Sequence, residues 1–399
     1  MAWVEQCGNR SWRVRFRRDD GTIGAIRGFT TKTAAIEHAN TLESDQREGR
    51  FLDPAAGKIT LREWVEDWLE ALDVAIRTED VYCSLLRRHI LPRWGDHGLA
   101  DISGIKAAAW AKELRDRGYS ATTVTAVTKL LSLLLADATE ERLIAANPIR
   151  ARRRGRRRTE RRTERLWATP SEVLAIADNA ARLPNAGPAA AVLIVAAAWT
   201  GMRWGEIVAL QRHNAHLNTA VGAGYVVVDP HTGAMIESSR GVELGPPKTA
   251  ESARTITLPP FLVEMLRRHQ DSHEQRFVFV TPSGEPHRNS NFGRRALRPA
   301  VDGTLRRARA TVQLPPVKPG LTFHGLRHGH KTWMIGDANP EVAQSRRLGH
   351  KLPDKIQEVY SHVEDIVEKR LLAALHKRWT DTISALPVTA FDTSWRDAA

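Results

Sequence analysis

The chain has 399 residues, 42% of them hydrophobic, with 59 Lys and Arg against 46 Asp and Glu and a formal net charge of +13. That length exceeds one small core and predicts two or three domains, while the charge points to a polyanionic partner more than to a merely solubilising surface. Two cysteines, Cys7 and Cys83, in no metal-ligand spacing exclude a disulfide framework, and the longest apolar stretch, 189–199, is too short to span a bilayer. With no apolar targeting run at the N-terminus, a cytoplasmic protein without a membrane partner is expected.

In chain order, 11–29 reads as a small sheet. Trp12, Val14 and Phe16 alternate with Arg13, Arg15 and Arg17, the period of a strand with one apolar and one guanidinium face. Asp19-Asp20-Gly21 supplies a hairpin turn and 24–29 a return strand. A helix follows from Thr31 into the early forties, capped by Thr30 or Thr31. Arginines on a strand beside a helix suit a DNA groove, although a solvated basic face has the same pattern.

A polar linker ends at Gly57-Lys58. Helical patterns then cover 60–69, 78–90, 105–117 and 120–140, punctuated by Leu91-Pro92 and Asn147-Pro148, an all-α region with no chemistry of its own. Arginines beyond it, including Arg153, Arg154, Arg156 and Arg157, are too dense to pack. They predict an extended linker able to follow a phosphate backbone. The next region opens at the capping box Thr169-Pro170-Ser171-Glu172, with proline in the first helical position. In it, helices alternate with short strands expected at 225–229, 255–258 and 277–280, and a tail follows residue 380.

Four segments of this last region carry candidate chemistry: TGMRWGE (200–206), TFHGLRH (322–328), LGHK (348–351) and QEVYSH (357–362). Arg203 opens a helix after the Thr200-Gly201 turn, with Glu206 on the same face to orient it. His324 and Arg327, three apart, share one side of a helix. A guanidinium fork grips two phosphate oxygens, and imidazole exchanges a proton near neutrality. Tyr360, ten positions past His350 on a short amphipathic helix, supplies a phenol whose pKa of about 10 calls for a base and nearby cations. Taken singly, such residues read as a surface arginine or a core tyrosine. His324, His328, His330 and His350 are also candidate metal ligands, but no cysteine lies near and their spacings match no common zinc pattern, so no metal is expected.

Together TGMRWGE, Lys248 in GPPKTAESARTITLP, HGLRHGH, LGH and Tyr360 resemble the tyrosine recombinases, specifically phage and mobile-element integrases, over the whole chain. The resemblance implies a multidomain, mainly α protein with small β-sheets. Its parts would be an arm-site DNA-binding domain with a three-stranded sheet and a helix (1–55), an all-α, SAM-like core-binding domain (58–150), the Arg-rich linker (151–165), a mixed α/β catalytic domain (166–380) and the tail (381–399). Tyr360 would attack a DNA phosphate, giving a 3′-phosphotyrosyl link and a free 5′-hydroxyl. Arg203 and Arg327 would clamp the nonbridging oxygens, His324 would handle the nucleophile's proton, and His350 would hydrogen-bond the phosphate. Lys248, on a hairpin turn, would protonate the leaving oxygen, with Glu206 in support. No cofactor, ATP or metal would be needed.

The implied partners are att core and arm sites, a homotetramer on synapsed DNA, an excisionase and a host DNA-bending factor, with the protein at the nucleoid. Gly325 stands where many relatives carry an acidic residue. A type IB topoisomerase-like enzyme shares the chemistry but has no use for a separate arm-site reader. A catalytically inactive DNA-binding relative has no need of the complete residue set.

Overall fold

The computed structural model describes residues 2–18, 21–48, 51–53, 55–149, 165–217, 224–305, 310–351 and 365–385. The chain divides into two compact units, Met1–Thr159 and Glu160–Ala399.

The first unit holds two separate hydrophobic clusters. The smaller lies under a three-stranded antiparallel sheet of β1 (Ala2–Gly8), β2 (Ser11–Arg17) and β3 (Ile23–Phe29), in that spatial order. Val14 and Phe16 of β2 are buried against Ala35, Ala39 and Leu42 of helix α1 (Lys32–Arg47), whose cap is Thr31, accepting from Ala34 N. The larger cluster is built by α2 (Leu61–Glu70), α3 (Ile76–Leu85), α4 (Leu91–Trp94), α5 (Gly104–Asp116) and α6 (Ala121–Glu140). Two indoles fasten α2 to α6: Trp64 Nε1 donates to Leu134 O (3.0 Å) and Trp68 Nε1 to Asp137 Oδ2 (2.6 Å).

Leu91-Pro92 does not break the helical path as expected. A wide π turn over Leu86–Ile90 joins α3 to α4, and the proline enters at the first turn of α4, where its missing N–H costs little. Helix α6 is long and apolar enough to cross a membrane, yet Val127, Leu131, Leu134 and Leu135 are fully buried in this cluster.

The second unit is mainly helical. Its helices are α7 (Pro170–Ala181), α8 (Gly187–Thr200), α9 (Trp204–Val208), α10 (Pro260–Asp271), α11 (Asn289–Phe292), α12 (Arg298–Asp302), α13 (Phe323–Gly336), α14 (Glu341–Leu348) and α15 (Asp365–Ala385). The strands are β4 (Ala215–His216), β5 (Tyr225–Val228) and β8 (Arg254–Thr257), forming one sheet in the order β4-β5-β8, and a separate hairpin of β6 (Ala234–Ser238) and β7 (Gly241–Gly245). The strand expected at 277–280 is not a strand. Phe277 and Val280 each make an isolated bridge, to Gln211 and Pro286, and Val278 and Phe279 are both buried, so the segment threads the core without alternating.

Helix α8 is apolar on every side because it is surrounded on every side. All of its residues from Ala190 to Thr200 are buried. Near its end Trp199 meets Phe261, Trp333 and Trp379 edge-on, with centroids 5.7, 4.9 and 5.8 Å away, and its Nε1 donates to Leu375 O (3.0 Å). Trp199→Ala should therefore lower stability by about 3–5 kcal/mol, read as a shift of the denaturant midpoint of the second unit. A loss below about 1 kcal/mol would show that this aromatic cluster is not the centre of the core.

Candidate active site

Helix α8 ends at Gly201, in the left-handed conformation (φ 66°), and Arg203 follows as the cap of α9. Arg203 N donates to Glu206 Oε2 (2.9 Å), and Nη1 donates to Glu206 Oε1 (2.7 Å) and Ser252 Oγ (2.8 Å). Glu206, 3% exposed, also takes Arg254 Nη2 at 3.0 Å. Burial works to raise its pKa, but Arg254, then Arg203, hold the carboxyl below its ordinary value, so it remains ionised.

Arg327, on the first turns of α13, is 3% exposed. Its Nη1 donates to Gly201 O (2.7 Å), and its Nη2 to Leu348 O (2.5 Å) and His350 Nε2 (2.9 Å). A guanidinium only donates, so His350 Nε2 accepts and the ring's proton sits on Nδ1. At the end of α14, three successive carbonyls each receive a different arginine: Arg347 O takes Arg254 Nε (2.7 Å), Leu348 O takes Arg327 Nη2, and Gly349 O takes Arg203 Nη2 (3.1 Å). Gly349 reverses the chain there at φ 62°, and a Cβ would stand 2.9 Å from Glu251 O and 3.0 Å from Arg254 Nη1.

The electrostatics of this cluster are unbalanced. Glu206 pairs with Arg203 and Arg254, while Arg327 feels the same carboxylate only through space. Burial and then the Arg203 charge push Arg327 down to about 9. Burial and the surrounding cations, Arg327 first, push His350 down to about 4. His324, exposed on the same helix as Arg327, is also brought to about 4, by desolvation and then by His328 and Arg327. Both imidazoles are neutral near pH 7. The site is thus short of an anion and has two bases able to take up protons when one arrives.

The structure brings Arg203, Glu206, Arg327 and His350 into one hydrogen-bonded cluster, with His324 a turn from Arg327. Lys248 does not join it. The hairpin turn falls at Ser239-Arg240, and Lys248 lies three residues beyond β7, exposed on a bend, correcting its expected place on the turn. Its neighbour Thr249 hydrogen-bonds Ser252 (3.0 Å), which accepts from Arg203. Tyr360, Arg153, Arg154, Arg156 and Arg157 lie outside the described residues.

Two of the other histidines are arginine partners: His328 Nε2 lies 3.2 Å from Arg165 Nη1, and His330 Nε2 2.9 Å from Arg347 Nε. Gly325 has a steric reason. A Cβ there would meet Leu321 Cδ1 at 2.6 Å and Leu166 O at 2.9 Å, so the incoming segment leaves no room for an acidic side chain. On the N-terminal sheet, Arg13, Arg15 and Arg17 share a face as expected, but Glu5 of β1 stands opposite Arg13 and pairs with it (2.8 Å) and with Arg15 (3.5 Å). Arg27 of β3 extends the basic face on the other side of Arg13. Sequence reasoning missed Glu5 because β1 lacks a strand's apolar alternation. It missed Arg254 and Ser252 because their partners lie 48 and 49 residues away.

Residues 167–366 match the phage integrase family. The integrase of Mycobacterium phage L5 is 26% identical over 319 residues, 77% of this chain and 76% of that protein. Two solved structures share the fold. The Tn1549 transposon integrase, in complex with transposon right end DNA, superposes with a TM-score of 0.58 at 16% identity, over 80% of this chain and 100% of that one. A lambda integrase tetramer bound to a Holliday junction gives 0.51 at 19% identity, over 90% of this chain and 98% of that one. With the arginine cluster inside the matched half of its length, the chain belongs to the phage integrase family and is a tyrosine-type site-specific DNA recombinase.

Proposed function

We propose that this recombinase integrates and excises a mobile element by cutting one DNA strand per protomer, with Tyr360 as the nucleophile and the Arg203–Arg327 cluster as the phosphate site. The observation that carries the reading is three buried or half-buried guanidiniums gathered near a single carboxylate, which pairs with two of them and leaves Arg327 without one, an arrangement completed by a phosphodiester. The phenol oxygen of Tyr360 forms the bond to phosphorus, and the bond from phosphorus to the 5′ oxygen breaks. His324, neutral at pH 7, accepts the phenol proton. Lys248 gives a proton to the leaving 5′ oxygen, and His350 offers its Nδ1–H to a nonbridging oxygen. Arg203 and Arg327 hold the charge that accumulates in the transition state, and Glu206 keeps Arg203 aimed. The phosphodiester energy is kept in the phosphotyrosyl bond, so the chain's own residues suffice for rejoining.

The same reading assigns the N-terminal sheet, residues 1–55, to arm-site DNA through Arg13, Arg15 and Arg17. The helical region 58–150 is assigned to core-site DNA. Arg153, Arg154, Arg156 and Arg157 of the linker are assigned to phosphate contacts, and residues 166–380 to catalysis. Exchange between two duplexes requires four cuts, hence a homotetramer on synapsed att sites, with an excisionase and a DNA-bending host factor setting direction.

On a nicked suicide duplex containing the att core, the wild-type protein should accumulate a covalent adduct and Tyr360→Phe should form none. An adduct formed by the phenylalanine variant would reassign the nucleophile. Relaxation of plasmid without an att site would instead favour a topoisomerase.

Proton linkage gives a second test. In the free protein the stability contributed by neutral His324 and His350 is present above about pH 6.5 and is lost as pH falls toward their values of about 4. A bound phosphodiester raises both values toward the ordinary 6.5, so His324 stays the neutral base at pH 7 while binding takes up protons as pH falls, and affinity should strengthen from pH 7 to pH 5.5. Calorimetry in buffers of different ionisation enthalpy should register that uptake, and the double variant His324→Gln/His350→Gln should abolish most of it. Equal uptake by the double variant would remove these two histidines from the phosphate site.

A further inference from the structure

Arg347 contributes a backbone carbonyl to the arginine cluster, but its own side chain points away into the core, with 2% of it exposed. Its Nε donates to His330 Nε2 (2.9 Å), its Nη1 to Thr257 O (3.1 Å) and its Nη2 to Trp199 O (3.1 Å). The carboxylate in reach, Glu368, is 3.8 Å away and far more open to solvent, at 36% exposure. Burying a guanidinium on such terms carries a large desolvation cost before its hydrogen bonds are counted, and a site made wholly of apolar side chains is often equally or more stabilising. Stability alone gives no reason for an arginine here.

Its partners give one. Trp199 stands two residues before Gly201, whose carbonyl holds Arg327. His330 lies one helical turn after Arg327 on α13. Thr257 ends the strand that begins with Arg254. Arg347 therefore pins the end of α14 to α8, which leads into Arg203, and to the strand and helix that carry Arg254 and Arg327, and the carbonyls of residues 347, 348 and 349 are the acceptors that orient those same arginines. His330 Nε2 must accept from the guanidinium, so the pair exists only with a neutral imidazole.

We propose that Arg347 is a positioning residue for DNA cleavage: its three-way hydrogen bonding sets the location of the α14 carbonyls and so the geometry of the phosphate-binding arginines. This rests on the reading of the cluster as a phosphate site. The role needs the planar fork and not merely a positive charge, since no flexible ammonium reaches the imidazole and both carbonyls in the same plane.

The test compares Arg347→Met and Arg347→Lys with the wild-type full chain on the nicked suicide duplex. Arg347→Met should keep att-core affinity within about threefold, while single-turnover adduct formation slows roughly 10- to 100-fold, the penalty of a misplaced catalytic group. Its melting temperature should fall, because His330 Nε2 and the carbonyls of Thr257 and Trp199 lose their donor. Arg347→Lys should also be slow. A phosphorothioate at the scissile position adds a readout that loss of packing alone would not move. The wild type should prefer one diastereomer, and the preference should contract in both variants. Wild-type rate and wild-type diastereomer preference in Arg347→Met would overturn the proposal, as would full rate in Arg347→Lys, which would place the role in charge. If Arg347→Met does not fold, Arg347→Lys decides by the same criteria. If the wild type itself forms no adduct, the phosphate reading of the site falls, and the proposal with it.

Discussion

The arginine cluster depends on the three carbonyls at the end of α14. A helix leaves its last carbonyls without intrahelical partners and gathers partial negative charge there. Here residues 347, 348 and 349 spend theirs on Arg254, Arg327 and Arg203, one each. Before DNA is present, the guanidiniums are thus aimed by dipoles instead of by a full set of carboxylates. The difference matters for catalysis. A carboxylate on every arginine would neutralise the charge that a transition state needs, whereas a carbonyl orients a donor and leaves its net charge intact.

Glu206 marks the limit of that arrangement. One carboxylate bridges Arg203 and Arg254, and it remains ionised in a buried setting because two cations face it. Arg327 has none among the described residues and rests on Gly201 O, Leu348 O and His350. The cost appears in its lowered pKa and in those of the imidazoles nearby. Such strain is offset elsewhere in the unit, by α8, buried from Ala190 to Thr200, and the aromatic cluster around Trp199. A firm scaffold and a site short of an anion are two sides of one construction.

What the sequence revealed follows a physical division. Local signals were legible: the Thr169 capping box, the Thr31 cap, the strand alternation of 12–17 and the turn that presents Arg203 all act within a few residues. Ordered motifs also placed Arg203, Arg327 and His350 in one constellation, because each sits at a helix end whose spacing is visible. The strand expected at 277–280 failed because burial on both sides imitates strand composition without a neighbouring strand to pair with. Lys248 was put on a turn because Gly245-Pro246-Pro247 resembles one, although the reversal occurs earlier, between β6 and β7. Arg254 sits in SARTITL, where it reads as an ordinary polar strand position. Only the folded chain shows that it reaches Glu206.

The missing side chain at Gly325 has a mechanical meaning. The irregular segment 165–168 that opens the second unit crosses α13 so closely that Leu166 O and Ala168 O stand 2.9 Å from where a Cβ of Gly325 and of Gly329, respectively, would be, and Arg165 is held by His328 on the same helix. Trp333 Nε1 fastens it again at Ala168 O (3.1 Å). Residues 165–168 are thus stitched to the very helix that bears His324 and Arg327. A side chain larger than hydrogen at 325 or 329 would push this segment off α13, so both glycines act as spacers for the chain that enters here.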